Sequence, residues 1–196
     1  KASIHNNEKK VDELYKESKT LISSMSSTID DFTNFFNPQK EKKSFEIKDA
    51  INEALIILRK VIELENIHIQ IDVPINYKVI GVSNELSQVI INLIQNSKDA
   101  FIQNDIKNKT IIITLKEELI LDKKYAWLEI KDNAGGISKE NIDKIFDPYF
   151  TTKYKSQGTG LGLFMSKMIL EKSLEGELSH KNCDDGSIFI IKLILG

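Results

Sequence analysis

Cysteine occurs once in this chain of 196 residues, tryptophan once and proline three times. A lone thiol, Cys183, excludes any disulfide within the chain and fits a reducing compartment. Arginine is confined to Arg59, so the positive charge is nearly all lysine, a compositional bias rather than a functional signal. There is no basic excess either: the formal net charge is −2. That argues against a dedicated nucleic-acid binder, which needs a basic face to offset phosphate. No apolar run approaches the roughly 20 residues that span a bilayer, and no signal peptide is visible. The opening KASIH lacks methionine and reads as a piece of something longer, with any membrane-spanning region lying elsewhere. Against these absences stand 41% hydrophobic and 29% charged residues, enough for a buried core and too apolar for wholesale disorder. The length suits one ordinary domain, or one domain with a small appendage.

Residues 8 to 37 read as one long amphipathic helix. Val11, Leu14, Leu21, Met25, Ile29, Phe32 and Phe36 recur at three-, four- or seven-residue steps. Pro38 ends it. Its apolar stripe needs a partner helix or a second chain. A charged linker, Gln39 to Lys43, separates it from a second helix over Ile47 to Leu64. Strands are predicted at Ile67 to Val73, Thr110 to Leu115 and Tyr125 to Ile130, with two more in GELSHK and SIFIIKLIL near the end. Helices are predicted from about Asn84 to Gln103, capped by Ser83 or Asn84, near Lys139 to Ile145, and from about Gly160 to Leu174. This alternation predicts an α+β fold, a two-layer sandwich with one mixed sheet, preceded by the long helix.

Three motifs carry chemistry. On the Asn84 to Gln103 helix, Leu86, Ile90, Leu93, Ser97 and Phe101 share one face, while Gln88, Asn92, Asn96 and Asp99 stack on another. Asparagine is a poor helix former, so its repetition in mid-helix needs a reason. A row of amides can hold Mg²⁺ through oxygen and phosphate through nitrogen; a solvated polar face is the plainer alternative. DNAGGI, Asp132 to Ile137, follows a strand. There a carboxylate can accept the amino proton of adenine, and Gly135 and Gly136 let backbone approach a flat ring. A simple turn would use the same residues. GTGLGL, Gly158 to Leu163, is neither a Walker loop nor a dinucleotide fingerprint. It reads as a loop, Tyr154 to Thr159, running into a helix whose first amides are free to meet phosphate. Upstream, FDPYFTTK, Phe146 to Lys153, offers aromatic anchors and a cation.

Together these boxes resemble the catalytic ATP-binding domain of bacterial sensor histidine kinases, in the ATPase superfamily shared with DNA gyrase and a heat-shock chaperone. The resemblance covers about Phe45 to Gly196, and the helix ending TIDDFTNFFNPQKEKKSF looks like the second helix of the family's dimerisation and phosphotransfer hairpin. It implies a Bergerat-type fold with helices on one face of the sheet, residues 1–43 being the hairpin segment and linker and 44–196 the catalytic domain. It also implies ATP and Mg²⁺. Asn92 would coordinate the metal, Asn96 would contact metal or phosphate, and Gln88 would stand where a base-like role is proposed. Asp132 would bind the adenine amino group, with Gly136 beneath the ring and Ile137 beside it. Gly158, Thr159, Gly160, Leu161, Gly162 and Leu163 would form the lid, Thr152 and Lys153 would lie near phosphate, Asp99 would join the amide row, and Ser187 would help fix adenine. The catalytic set implied is Gln88, Asn92 and Lys153.

Two departures stand out. Ala134 replaces the first glycine of the usual DxGxG, adding only a methyl that is expected to be tolerated. The phosphoacceptor histidine is missing: His5, His68 and His180 lack its sequence context, and all three are expected to be surface or structural residues. The resemblance thus implies the ATP-binding portion of a sensor kinase, transferring the γ-phosphate to a histidine outside this chain for relay to a response regulator. It implies a homodimer through the helical segment, no nucleic acid, and a cytoplasmic location, membrane contact coming only through regions outside the chain. A non-catalytic, nucleotide-sensing dimeric regulator is the alternative, and an ATP hydrolase or serine kinase of the superfamily a third reading.

Overall fold

The computed structural model describes residues 41–153 and 158–195, together with Val11, Tyr15, Ser18, Lys19 and Ile22, which are helical. The rest of the predicted helix over residues 8 to 37, including Pro38 at its end, lies outside the described residues, as does His5.

The order of elements is β1 (Lys43–Glu46), α1 (Ile47–Leu64), β2 (His68–Asp72), β3 (Lys78–Gly81), α2 (Ser83–Gln103), β4 (Thr110–Ile120), β5 (Lys123–Asp132), α3 (Lys139–Ile142), α4 (Gly162–Lys172), β6 (Glu177–Asn182) and β7 (Ser187–Ile194). A five-stranded sheet runs β2-β4-β5-β7-β6. Only the β2–β4 pair is parallel, so the sheet is mixed as expected. On its inner face Ile111, Ile113 and Leu115 of β4, Ala126, Leu128 and Ile130 of β5, and Phe189, Ile191 and Leu193 of β7 are buried. They meet Ile47, Ala50, Ile51, Ala54 and Leu58 of α1 and Leu86, Ile90, Leu93, Ile94 and Phe101 of α2. That is the apolar stripe the helical spacing foretold. Polar bonds tie the helices together: Ser87 Oγ donates to Glu53 at 2.6 Å, and Ser173 donates to Glu85.

Several details differ from expectation. The cap of α2 is Val82, in an extended conformation and without a side-chain bond, because Ser83 is already inside the first turn. Helix α4 starts at Gly162, not Gly160, since Gly160 has φ +67°, outside the helical region. Strands β1 and β3, which pair as a separate antiparallel ribbon, were not expected. Four residues each are too few to display a period. The β4–β5 hairpin extends to Ile120 and Lys123 through Leu121 and Asp122, both at positive φ, a turn that matches strand twist. Its outer half, KEELI, is too charged to read as a strand.

Candidate nucleotide site

Helix α2 supplies one wall of a cavity of about 500 Å³, through Asn92, Asn96 and Asp99 with Gln95, Gln103 and Asn104. Opposite stand Gly136, Ile137, Ser138 and Asn141 after β5, and Phe150, Thr151, Thr152 and Lys153; the lid end contributes Gly158, Thr159, Gly160, Gly162 and Leu163. Twelve of the predicted residues thus converge on one space. Gln88 does not join them; it is exposed one turn earlier. Leu161, Asp132 and Ser187 are buried behind this lining, at 7%, 4% and 4% exposure. Residues 154–157 of the predicted loop lie outside the described residues.

The amide row is held in a definite state. Asn92 Nδ2 donates to Ser166 Oγ of α4 at 2.9 Å, which fixes its carboxamide and turns Oδ1 toward the start of that helix. A methyl on Gly162 would lie 2.4 Å from Oδ1, so glycine there is what lets α4 approach Asn92. Lys153 Nζ donates to Asp99 Oδ2 at 2.6 Å and to Asn96 Oδ1 at 3.3 Å. Asn96 Nδ2 is buried and has no partner. An orphaned buried donor is costly and usually marks a place where an acceptor belongs. The Oδ1 of the same side chain accepts from the Lys153 ammonium, one helical turn from Asn92.

The end expected to take the base is built from three strands. Asp132 closes β5; its Oδ1 accepts the amide protons of Ala134 at 2.9 Å and Ser187 at 3.2 Å, and its Oδ2 accepts from Ser97 at 2.8 Å. Three donors thus satisfy the buried carboxylate. Gly186 lies so close that a Cβ there would fall 2.0 Å from the Asp132 carbonyl oxygen. Asn182 of β6 accepts from the Ile137 amide at 2.8 Å and donates to the Ile137 carbonyl at 2.7 Å, clamping the glycine loop as another strand would. Asn104 donates to the Ala134 carbonyl, and Asn133 accepts from the Thr110 amide. Ala134 itself is buried, so its extra methyl is accommodated.

Comparison with known proteins places this geometry. The family model for histidine kinase-, DNA gyrase B- and HSP90-like ATPases matches residues 81–196. The chain belongs to that ATPase family. Among its relatives, the two-component sensor PprA of Pseudomonas aeruginosa is 31% identical over 159 residues, covering 79% of this chain and 17% of that protein. Sporulation kinase C of Bacillus subtilis is 31% identical over 152 residues, 74% of this chain and 33% of its own. The chain therefore spans at most about a third of these sensor proteins. The solved catalytic domain of histidine kinase ThkA superposes with TM-score 0.65 at 26% identity, covering 79% of this chain and 96% of that one. A ThkA structure in complex with response regulator TrrA, at 24% identity and TM-score 0.63, shares the fold.

A nucleotide-binding ATPase domain explains the unpartnered groups. Among the described residues no three His, Cys, Asp or Glu side chains cluster as a metal cage. A divalent ion fits here only as Mg²⁺ commonly binds, through one protein oxygen, water and the oxygens of a bound phosphate chain. Asn92 Oδ1 is the oxygen so placed. The lid end is compact where it is described. Gly160 sits on the Tyr149 backbone, 2.4 Å from a would-be Cβ, and Gly158 rests on the Lys153 stem.

Sequence reasoning missed Ser97, Ser166, Asn104 and Asn182. Ser97 left a usable trace, because a hydroxyl in the middle of an apolar helix face requires a buried partner. Asn182 left none; a polar residue at a strand end is ordinary.

Proposed function

We propose that this domain binds Mg-ATP and hands its γ-phosphate to a histidine outside the chain, as the catalytic part of a two-component sensor kinase. The observation that carries the reading is the α2 amide row facing Lys153, with a buried donor, Asn96 Nδ2, lacking a partner. In this reading Asn92 Oδ1 holds the ion and Asn96 Nδ2 donates to a phosphate oxygen. Lys153 exchanges Asp99 for phosphate. The lid residues Gly158 to Leu163 enclose the chain of phosphates, with the first amides of α4 free to donate. Asp132 accepts from the adenine amino group once the wall beside Gly136 and Ile137 admits the base, and Ser187 lies beside it. An Mg²⁺ ion held by Asn92 would supply neutralisation of the phosphate charge. The protein's contribution is positioning and electrostatics. Gln88, exposed one turn before Asn92, is free to meet the incoming acceptor.

Residues 1–43 serve in this reading as hairpin helix and linker, pairing two chains, and 44–196 as the catalytic domain. The phosphoryl group then passes to a response regulator in the cytoplasm.

Titration of an ATP analogue with and without Mg²⁺ tests the pocket. Wild type binds, and Asp132→Ala loses at least about tenfold, since a hydrogen bond to a buried charge contributes roughly 1.5–3 kcal/mol. Equal binding by both proteins sinks the assignment. Incubating the chain with a separate helix bearing the family histidine and labelled ATP tests the reaction. Binding without label on histidine would favour the nucleotide-sensing regulator.

A further inference from the structure

Strand β6 lies at the edge of the sheet, yet two of its inward residues reach the base end. Asn182 clamps Ile137. His180, two residues earlier on the same face, places Nε2 3.2 Å from Ser187 Oγ, its diagonal neighbour on β7. The ring is held at a 5.0 Å centroid distance against Phe189, the residue directly across the ladder. Ser187 in turn donates its backbone amide to Asp132. The imidazole is therefore one bond removed from the carboxylate that reads the base.

We infer that His180 is a positioning residue for purine recognition: its Nε2–H donates to Ser187 Oγ and so commits the serine hydroxyl proton to the ligand. This rests on the nucleotide reading of the site given above. The surroundings of the ring assign its proton to Nε2. Nδ1 is buried without a partner, and a bare ring nitrogen tolerates that better than an orphaned N–H does. Burial also holds the imidazole below its ordinary range, against the opposing pull of Asp132, so the ring is neutral and carries one proton. With Oγ accepting from His180, its own hydrogen points elsewhere. Asp132 then offers an acceptor and Ser187 a donor, side by side. Adenine presents the complement, an amino donor beside a bare ring nitrogen; a 6-oxo purine presents the reverse and meets both groups with the wrong polarity.

The test compares ATP with inosine triphosphate, a 6-oxo purine, on wild type, His180→Gln and His180→Leu. Glutamine can place an N–H near the Nε2 position; leucine cannot. Leucine should weaken ATP about five- to tenfold, the scale of one neutral hydrogen bond, and narrow the ATP-to-inosine ratio, while glutamine preserves the ratio. An unchanged ratio in His180→Leu, or an equal loss in both variants, overturns the proposal. Nitrogen-15 shifts of the imidazoles in wild type, assigned by through-bond connectivity to the backbone, give a readout independent of whether a variant folds. A protonated Nε2 with a bare Nδ1 supports the role, and the opposite tautomer overturns it. Wild type that binds neither triphosphate would instead refute the nucleotide reading itself.

Discussion

Alanine at position 162 separates the chemistry of the site from its architecture. The new methyl would stand 2.4 Å from Asn92 Oδ1, 3.1 Å from Cγ and 3.2 Å from Nδ2. All three atoms belong to the end of a rotatable side chain, so the carboxamide swings away and the backbone stays. The swing breaks the 2.9 Å bond from Asn92 to Ser166, a loss of about 1 kcal/mol. Alanine in place of glycine in a helix returns up to about 1 kcal/mol. The two nearly cancel, so the melting temperature should move by no more than about 4 °C for a domain of this size. Binding should not be spared. Losing the orientation of a metal ligand weakens metal sites on the order of 10- to 100-fold. Fluorescence titration with an ATP analogue should show that loss in Mg²⁺ and little change in chelator. Wild-type affinity in Mg²⁺, or an equal loss in chelator, would refute the assignment of Asn92 Oδ1 as the metal-facing atom.

The same substitution at Gly186 should behave oppositely. There the methyl meets backbone, 2.0 Å from the Asp132 oxygen, and strand β7 must back away. Overpacking of this kind costs about 1–3 kcal/mol, read as a lower urea midpoint; an unchanged midpoint would contradict the close approach. Ser97→Ala removes a buried donor from the Asp132 carboxylate and should destabilise by roughly 1.5–3 kcal/mol, again by urea unfolding. A loss under about 0.5 kcal/mol would mean that the carboxylate does not depend on Ser97. Burial depresses the His180 pKa from 6.5, so the unfolded chain binds more protons just below that value. Its contribution is fully present above about pH 6.5 and declines as pH falls through the window beneath it. His180→Gln should flatten that decline in urea midpoints measured at several pH values, and an identical decline would exclude the histidine.

Much of this was legible in the chain. Helix α1 occupies Ile47–Leu64 as its spacing predicted, and the α2 stripe and amide row fall on the expected faces. Periodicity reports which face of a helix is apolar, and it served well there. It fails where there is no period, as in the four-residue strands β1 and β3 and in the charged half of β4. The pocket residues of the boxes were found because glycine and asparagine are out of place by propensity. Supporting partners such as Asn182 and His180 were not, because they acquire meaning only when strands distant in sequence are laid side by side. Gln88 stands in the same row one turn before Asn92, exposed and outside the cavity lining.

The clamp of Asn182 on Ile137 and the seat of Gly186 on Asp132 bear on how inhibitors would engage this domain. The half of the cleft assigned to the heterocycle is assembled in advance by β5, β6 and β7, whereas the half assigned to the phosphates depends on a lysine that must change partners. A rigid, uncharged aromatic compound aimed at the first half meets hydrogen-bonding groups already in place, so its affinity per atom is set by how readily the wall beside Gly136 and Ile137 parts. Polyanionic mimics aimed at the second half must first compete with Asp99.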